Sequence, residues 1–446
     1  MGRYERRKLL EATMEKLARI GRLIKDTWLI VGITLFLFGF LEGGVSLAFF
    51  IKHRLSGVEQ LLPDWRVEAD TYADRSWVKK YYEEFRSSDA VRWMPYVYWR
   101  RGPYRGEYIN VDRNGIRRTT APVAERSGRS VTIFLFGGST LWGTGARDDF
   151  TIPSVLAREL QEKGFRAEVT NFGESGYVTT QEVLTLLLQL RQGGRPDLVI
   201  FYDGINDTGS AYQQHVAGLP QNESNRAREF NLSSPAEFKR RAEMVLRDVA
   251  SRLSTVRLLG GPLGKSVLHS RAEPAAKPLL LNHVGPDDDP PSTGVVSTYW
   301  ANMELVKALS EHYHFKYLCY WQPTIFQKSQ LTKYERGERQ KARYLESFYV
   351  ETYAAMRQSR LAQTGEPAFH DLSLVFSDTP APVYVDWAHL GEWGNEIIAR
   401  RMAGDVLGAV SLGSGPRPPP SRSNGTNREC GPGVPRGGAE TSQPLP

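Results

Sequence analysis

The sequence predicts an α/β protein built on a parallel sheet, with one transmembrane helix ahead of it. Three features point there. Apolar runs at residues 131–136 and 197–202 carry β-branched and aromatic residues without alternation, as in strands buried on both faces of a sheet. Amphipathic stretches of helical period fall between such runs, so strand and helix alternate as in βαβ units. Ahead of both, residues 27–51 are apolar beyond Thr27, apart from Thr34, Glu42 and Ser46. At 1.5 Å per residue this stretch covers about 37 Å, enough to cross a hydrocarbon core of about 30 Å with tilt.

Composition narrows the function. The 446 residues, 41% of them hydrophobic, exceed one average domain and can bury a sizeable core. The formal charge of +7 gathers at the ends, between Arg3 and Lys25 and at Arg417, Arg422, Arg428 and Arg436. The core has no basic stripe with interleaved aromatics, so nucleic acid is not an expected partner. Cys319 and Cys430 are the only cysteines, and neither a disulfide framework nor a Cys/His metal site can be built from them. No metal or organic cofactor is expected, and the oligomeric state is not legible.

Residues 1–26 form a basic segment with Leu9, Leu10, Met14 and Leu17 at near-helical spacing. The apolar run 27–51 is too long for a signal-peptide core, and no small-x-small cleavage site follows. Basic residues concentrated before it place the N-terminus in the cytoplasm and the remainder outside. Glu42 inside the span would have to be neutral, paired or near an interface. Residues 52–125 are a connecting region dense in aromatics, among them Trp77, Tyr81, Tyr82, Phe85, Trp93, Tyr96, Tyr98 and Trp99. They read as a subdomain packed on the core; a sugar-stacking platform or an interfacial aromatic belt is the sharper reading. Residues 108–111 are a strand entering a turn, with Gly115 supplying positive φ.

The first core strand stops at Gly137-Gly138-Ser139-Thr140. A helix over 153–164, a short strand over 167–169, a Leu-rich helix over 181–192 and the strand at 197–202 follow. Residues 208–294 then lack any strand pattern; 235–258 is helical, and 260–294 is Pro/Gly-rich with a solvated Asp287-Asp288-Asp289 run. Such an insertion is expected to cover the active edge as a lid. A helix over 296–314 leads to a fourth strand at 315–320, and 328–360 reads as one long or two broken helices. A short fifth strand at 369–372 precedes 383–385, which delivers Asp386 and His389, and a closing helix runs from Gly394 to Leu407. His312 and His314 read as ordinary packing beside an aromatic strand. Residues 412–446 are too poor in apolar residues to order themselves.

The chemistry sits in four turns. Ser139 leaves the carboxyl edge of the first strand through two glycines, where open α/β sheets place their sites, and is a nucleophile if a base reaches it. The turn is not a phosphate loop, having no Gly-Lys-Ser/Thr, nor a Gly-x-Ser-x-Gly elbow, because Leu141 occupies the last position. Asn171-Phe172-Gly173-Glu174-Ser175-Gly176, Asp203-Gly204-Ile205-Asn206-Asp207 and Asp386-Trp387-Ala388-His389 offer oxyanion donors, a base and its orienting carboxylate.

These four blocks, in this order over residues 131–407, resemble the SGNH (GDSL-type) hydrolase superfamily, in particular its membrane-anchored bacterial members. Gly138 departs from the family's usual pattern, standing where Asp is often found. The resemblance implies a three-layer α/β/α, flavodoxin-like core with a parallel sheet of about five strands. It implies a catalytic triad of Ser139, His389 and Asp386, and an oxyanion hole of Ser139, Gly176 and Asn206. The expected organisation is a cytoplasmic segment (1–26), a transmembrane helix (27–51), the connecting region (52–125), a hydrolase domain (126–411) with its insertion (208–294), and a disordered tail (412–446). The expected activity is that of a membrane-tethered esterase removing acyl groups from a glycan or lipid-like ester. Transfer of the acyl group to an exported polysaccharide, or a silent fold serving assembly, are the rivals.

Overall fold

The structure is a computed structural model that describes residues 3–55, 64–120, 130–231, 291–359 and 368–411. Its centre is a five-stranded parallel sheet of β5 (Val131–Gly137), β6 (Ala167–Asn171), β7 (Leu198–Asp203), β8 (Lys316–Trp321) and β9 (Phe369–Asp371). The spatial order is β6-β5-β7-β8-β9. The chain therefore starts inside the sheet, steps to one side, and returns past its starting strand to the other. Right-handed crossovers in opposite directions put successive helices on opposite faces, which gives the doubly wound, flavodoxin-like topology. All six residues of β7 are buried, and β5 is buried from Ile133 onward, as continuous apolar runs require.

Helix α4 (Ile152–Glu162) pairs with the closing helix α11 (Glu392–Ser411). The other layer holds α5 (Thr179–Arg191), α6 (Ile205–Gln214), α8 (Pro291–Tyr313) and α10 (Arg343–Gln358). Stretch 328–360 resolves into two helices, α9 (Lys333–Lys341) and α10, which breaks at Ala342. Thr332 caps α9 through a bond from Glu335 N (3.2 Å). Helix α6 carries on past Thr208 with Thr208, Ser210 and Ala211 buried, so the beginning of the 208–294 stretch is part of the core layer. Helix α7 (Glu223–Asn231) follows; the helix expected over 235–258 and the three-Asp run lie outside the described residues.

The N-terminal helix α1 (Arg3–Leu55) is one unbroken element that takes in both the basic segment and the apolar run. Residues 3–26 are rich in Leu, Arg, Lys, Glu and Met, and no proline interrupts them, so nothing stops the helix there. Within it, Thr13–Ala48 is long and apolar enough to cross a membrane, and none of its most apolar window is buried in the protein. Thr27 and Thr34 return their hydroxyls to Leu23 O and Ile30 O (2.8 Å each), and Ser46 Oγ donates to Glu42 (3.4 Å).

Between α1 and the sheet lie α2 (Val78–Ser87) and two hairpins, β1 (Val91–Met94) with β2 (Tyr98–Arg101), and β3 (Tyr104–Arg105) with β4 (Asn110–Val111). The aromatic-rich region divides by burial. Tyr72, Trp77, Tyr81 and Tyr82 form an edge-to-face cluster that includes Trp142 and Val385 of the core, whereas Trp93 and Tyr96 are two-thirds exposed. Arg117 ties the region to the sheet. Its backbone bridges to Val111 and to Asn171 on the outer side of β6, covering that edge. Its fully buried guanidinium bonds to Trp142 O (3.1 Å), Gly143 O (2.7 Å), Ala146 O (2.7 Å) and Asp148 (3.0 Å).

Arg117→Met would leave Asp148 and three carbonyls short of a donor. We expect a loss of about 3–5 kcal/mol of stability, read as a lower urea midpoint with an unchanged slope; a midpoint like the wild type's would show that the network is dispensable.

Candidate active site

Ser139 opens the short helix α3 (Ser139–Trp142) at the carboxyl end of β5. A left-handed Gly143 (φ 103°) ends that helix after one turn. The loop behind it is fixed by tyrosines: Tyr72 OH donates to Gly145 O (2.9 Å), Tyr81 OH donates to Gly143 O (3.2 Å), and Gly145 N donates to Tyr81 OH (2.8 Å). Thr140 Oγ1 bonds Gln322, just past β8, at 2.6 Å.

Asp386 and His389 come from a tight loop rather than a helix. Tyr384 bridges Leu390 across it, Val385 N donates to His389 O (2.9 Å), and α11 begins only at Glu392. Asp386 Oδ1 accepts the N–H groups of Ala388 (2.9 Å) and His389 (2.8 Å), so the carboxylate organises its own turn. Asp386 Oδ2 lies 2.8 Å from His389 Nδ1, and His389 Nε2 lies 2.7 Å from Ser139 Oγ. Three residues up to 250 positions apart thus form one hydrogen-bonded relay. Burial opposes ionisation of Asp386, but the charge and hydrogen bonds of His389, with Arg66 beyond, hold its carboxyl well below the usual carboxylate range.

The approach to Asp386 is held by buried charge. Glu335 accepts Val383 N (3.0 Å) and Tyr384 N (3.3 Å) while paired with Lys328 (2.5 Å), and Tyr334 OH donates to Val385 O (2.7 Å).

Asn206 and Gly176 reach the same edge. Asn206, in the first turn of α6, donates its Nδ2 to Tyr177 O at 2.7 Å. A methyl group built on Gly138 would lie 2.1 Å from that nitrogen. The Asn206 amide therefore occupies the space a side chain at 138 would need, and glycine leaves that space open. Gly176 takes a left-handed turn (φ 77°) between Ser175, whose carbonyl accepts Trp99 Nε1–H (2.9 Å), and Tyr177, whose carbonyl accepts Asn206. Buried Glu174 accepts the N–H groups of Arg101 and Ser175 (2.8 Å each); burial pushes its carboxyl up, with Arg100 and Arg101 opposing.

Sequence reasoning missed Arg66, Gln322, Lys328 and Glu335 around this site. Glu335 is marked only by its capping-box spacing from Thr332, and the other three lie on loops or a short turn with no motif of their own. Among the described residues no group of His, Cys, Asp and Glu could hold a metal. His312 packs edge-on against Tyr313, and Cys319 is a buried thiol beside Met303.

Residues 135–334 match the GDSL-like Lipase/Acylhydrolase family. The match supports the GDSL/SGNH hydrolase family. It takes in Ser139, Gly176 and Asn206 and ends short of Asp386 and His389, which geometry alone joins to it. Among curated proteins none matches this sequence. Solved structures similar to it include an acetylxylan esterase from Geobacillus stearothermophilus, at 15% identity over 62% of this chain and 94% of that one, TM-score 0.31. A member of the lipolytic G-D-S-L family from Veillonella parvula is 12% identical over 63% of this chain and 98% of that one, TM-score 0.33. The acetyl xylan esterase AlAXEase is 13% identical over 63% and 100%, TM-score 0.31. Family and parallel sheet together support ester hydrolysis in general; the reading of the site rests on its own geometry.

Behind Asn206 lies a second group of acids. Glu182 of α5 meets Asp203 at the end of β7, with Asp207 close by, and all three are buried. Asp207 accepts the N–H groups of Thr179 (3.0 Å) and Gly204 (3.4 Å). No N–H reaches either oxygen of Asp203 among the described residues, which places Glu182 and Asp203 to share a proton. Burial, then the neighbouring carboxylates, pushes Glu182 well above its ordinary value; burial does the same for Asp203. Folded-state values above unfolded ones mean the stability carried by the pair is full at low pH and is lost as pH rises through the folded values. Glu182→Gln removes one titrating group at nearly constant shape. The variant should melt close to wild type at pH 5 and several degrees higher at pH 8, for about 1–2 kcal/mol; a steeper fall with pH than wild type would refute the shared proton.

Proposed function

We propose that this chain is a membrane-tethered serine esterase that removes acyl groups from a glycan or lipid-like ester presented near a membrane face. The observation that carries this is the relay Ser139 Oγ–His389 Nε2 (2.7 Å) and His389 Nδ1–Asp386 Oδ2 (2.8 Å).

In this reading Ser139 Oγ attacks the ester carbonyl while His389 Nε2 takes its proton, and Asp386 holds the ring and balances the imidazolium that forms. The developing oxyanion is met by the N–H groups of Ser139 and Gly176 and by Asn206, whose Nδ2 keeps a second hydrogen beside the one given to Tyr177. His389 returns the proton to the departing alcohol. A water, deprotonated by the same nitrogen, then releases the acid and restores Ser139.

The tether supports a membrane-facing substrate. Large apolar side chains along α1, such as Trp28, Phe36 and Phe40, are more than 70% exposed, and lipid is the solvent that suits them. From Ala48 to Asp64, whose neighbour Arg66 touches Asp386, the chain reaches no more than about 40 Å. Ser139 therefore works close to the surface through which α1 passes, with the N-terminus cytoplasmic and the hydrolase domain outside.

Two variants test the site on short p-nitrophenyl esters. Ser139→Ala should abolish turnover and fluorophosphonate labelling in a protein that melts like wild type; turnover surviving in it would remove Ser139 from the reaction. Asn206→Ala should lower kcat by about 10²–10³ with little change in KM, as for an oxyanion donor. A risen KM with kcat intact would make Asn206 a binding or structural residue instead. Adding a polyol separates hydrolysis from transfer, because acylated polyol in place of free acid is the transferase result.

A further inference from the structure

Arg66 enters the site from a part of the chain that no motif marks. It sits on a one-turn 3-10 element, Trp65–Glu68, nine positions after α1 ends at Leu55 counted to Asp64. The residue is 8% exposed, and its Nη1 lies 3.6 Å from Asp386 Oδ2. Asp64 grips the other side of the guanidinium, Nε to Oδ1 at 2.9 Å and Nη2 to Oδ2 at 2.8 Å, and also accepts Arg66 N at 3.1 Å. Rings of Tyr82 (4.8 Å), Phe85 (5.0 Å) and Trp65 (5.1 Å) pack against it. A planar cation held this way is a fixed charge rather than a mobile one.

The remaining charged and titratable groups around it are turned elsewhere. Tyr82 OH pairs with Tyr72 OH (2.9 Å), and Tyr334 OH serves Val385 O. Glu338 accepts Trp65 Nε1 (3.3 Å), Lys341 lies over the Trp65 ring, and Arg101 lies over Phe85. Asp386 Oδ1 accepts the N–H groups of its own turn and lies 2.9 Å from His389 Nδ1, while Oδ2 meets His389 Nδ1 at 2.8 Å and Arg66 at 3.6 Å.

A carboxylate beside a neutral imidazole leaves one buried negative charge, and such a pair gains by taking up a proton. A fixed cation 3.6 Å from Asp386 Oδ2 opposes the uptake, and Asp64 limits how strongly it does so.

We propose that Arg66 is a positioning residue of the relay: from the segment that directly follows the membrane helix it fixes Asp386 Oδ2 and, through that carboxylate, the His389 ring. This rests on the reading of Ser139 as nucleophile and adds to it a dependence of the base on the membrane-proximal segment.

The test is the pH profile of kcat/KM for p-nitrophenyl acetate, with fluorophosphonate labelling rates alongside, on the full chain in detergent. Arg66→Met should move the acid limb to higher pH by about half to one unit and lower the plateau. Arg66→Lys, keeping the charge but not the fork, should fall between that variant and wild type. Asp64→Asn, which releases Arg66 from its counter-charge, should move the limb the other way, to lower pH. Acid limbs that stay in place in both the Arg66→Met and Asp64→Asn proteins, or that move in the same direction, would overturn the proposal. If Arg66→Met does not fold, the direction of the Asp64→Asn shift decides alone. Failure of the wild-type chain to label or turn over at all would instead strike the nucleophile reading.

Discussion

The structure depends on a reversal in the sheet. Strand β5 comes first, β6 lies on one side of it, and β7 to β9 lie on the other. Loops leaving the carboxyl ends of β5, β6 and β7 therefore part over the two faces and open a crevice between them. Ser139, Gly176 and Asn206 occupy those three loop positions. The close approach of Gly138 to the Asn206 amide follows from the same constraint, since β5 and β7 are hydrogen-bonded neighbours whose exits must share one space.

Loops at a sheet edge need holding, and here the holding is done by buried charge. Arg117 ties down the carbonyls after α3, Glu335 with Lys328 ties down the approach to Asp386, and Glu174 with Arg101 ties down the Gly176 loop. In each case one end is an ionised side chain and the other includes backbone groups with no ladder partner. A buried ion pair adds little net stability over an apolar replacement, but breaking one leaves a charge stranded at considerable cost. These groups therefore select one loop geometry more than they stabilise the fold. The Glu182–Asp203 pair stands apart, because its carboxyl groups face each other with no cation between them among the described residues, and burial pushes both upward.

The segment after α1 is more than a connector. Its tyrosines bond to the loop behind Ser139, its Arg66 touches Asp386, and Trp142 and Val385 of the core share its aromatic cluster. Both halves of the relay lean on residues that precede the sheet in sequence. This segment and the site are joined by packing as well as by covalent chain, so a fragment cut at the start of the sheet would lack part of its own site.

The order of residues alone determined the parallel sheet, most of its helices and the four turns that meet at its edge. Those signals are local: an apolar run of strand length, a glycine stop, a helical period, an Asp-x-x-His spacing. It also marked residues 27–51 as apolar enough for a membrane, though not that the helix around them runs unbroken from Arg3 to Leu55. Tertiary structure decided the rest. Which aromatics of residues 65–99 are core and which stay exposed depends on what packs against them, and neither ring type nor spacing encodes that. That Asp386 and His389 sit in a bridged loop, that Asn206 fills the space over Gly138, and that Arg66 meets Asp386 are contacts between distant parts of the chain. A contact across 320 positions between Arg66 and Asp386 leaves no periodic trace in the sequence, because it is made by the geometry of two loops and not by either one.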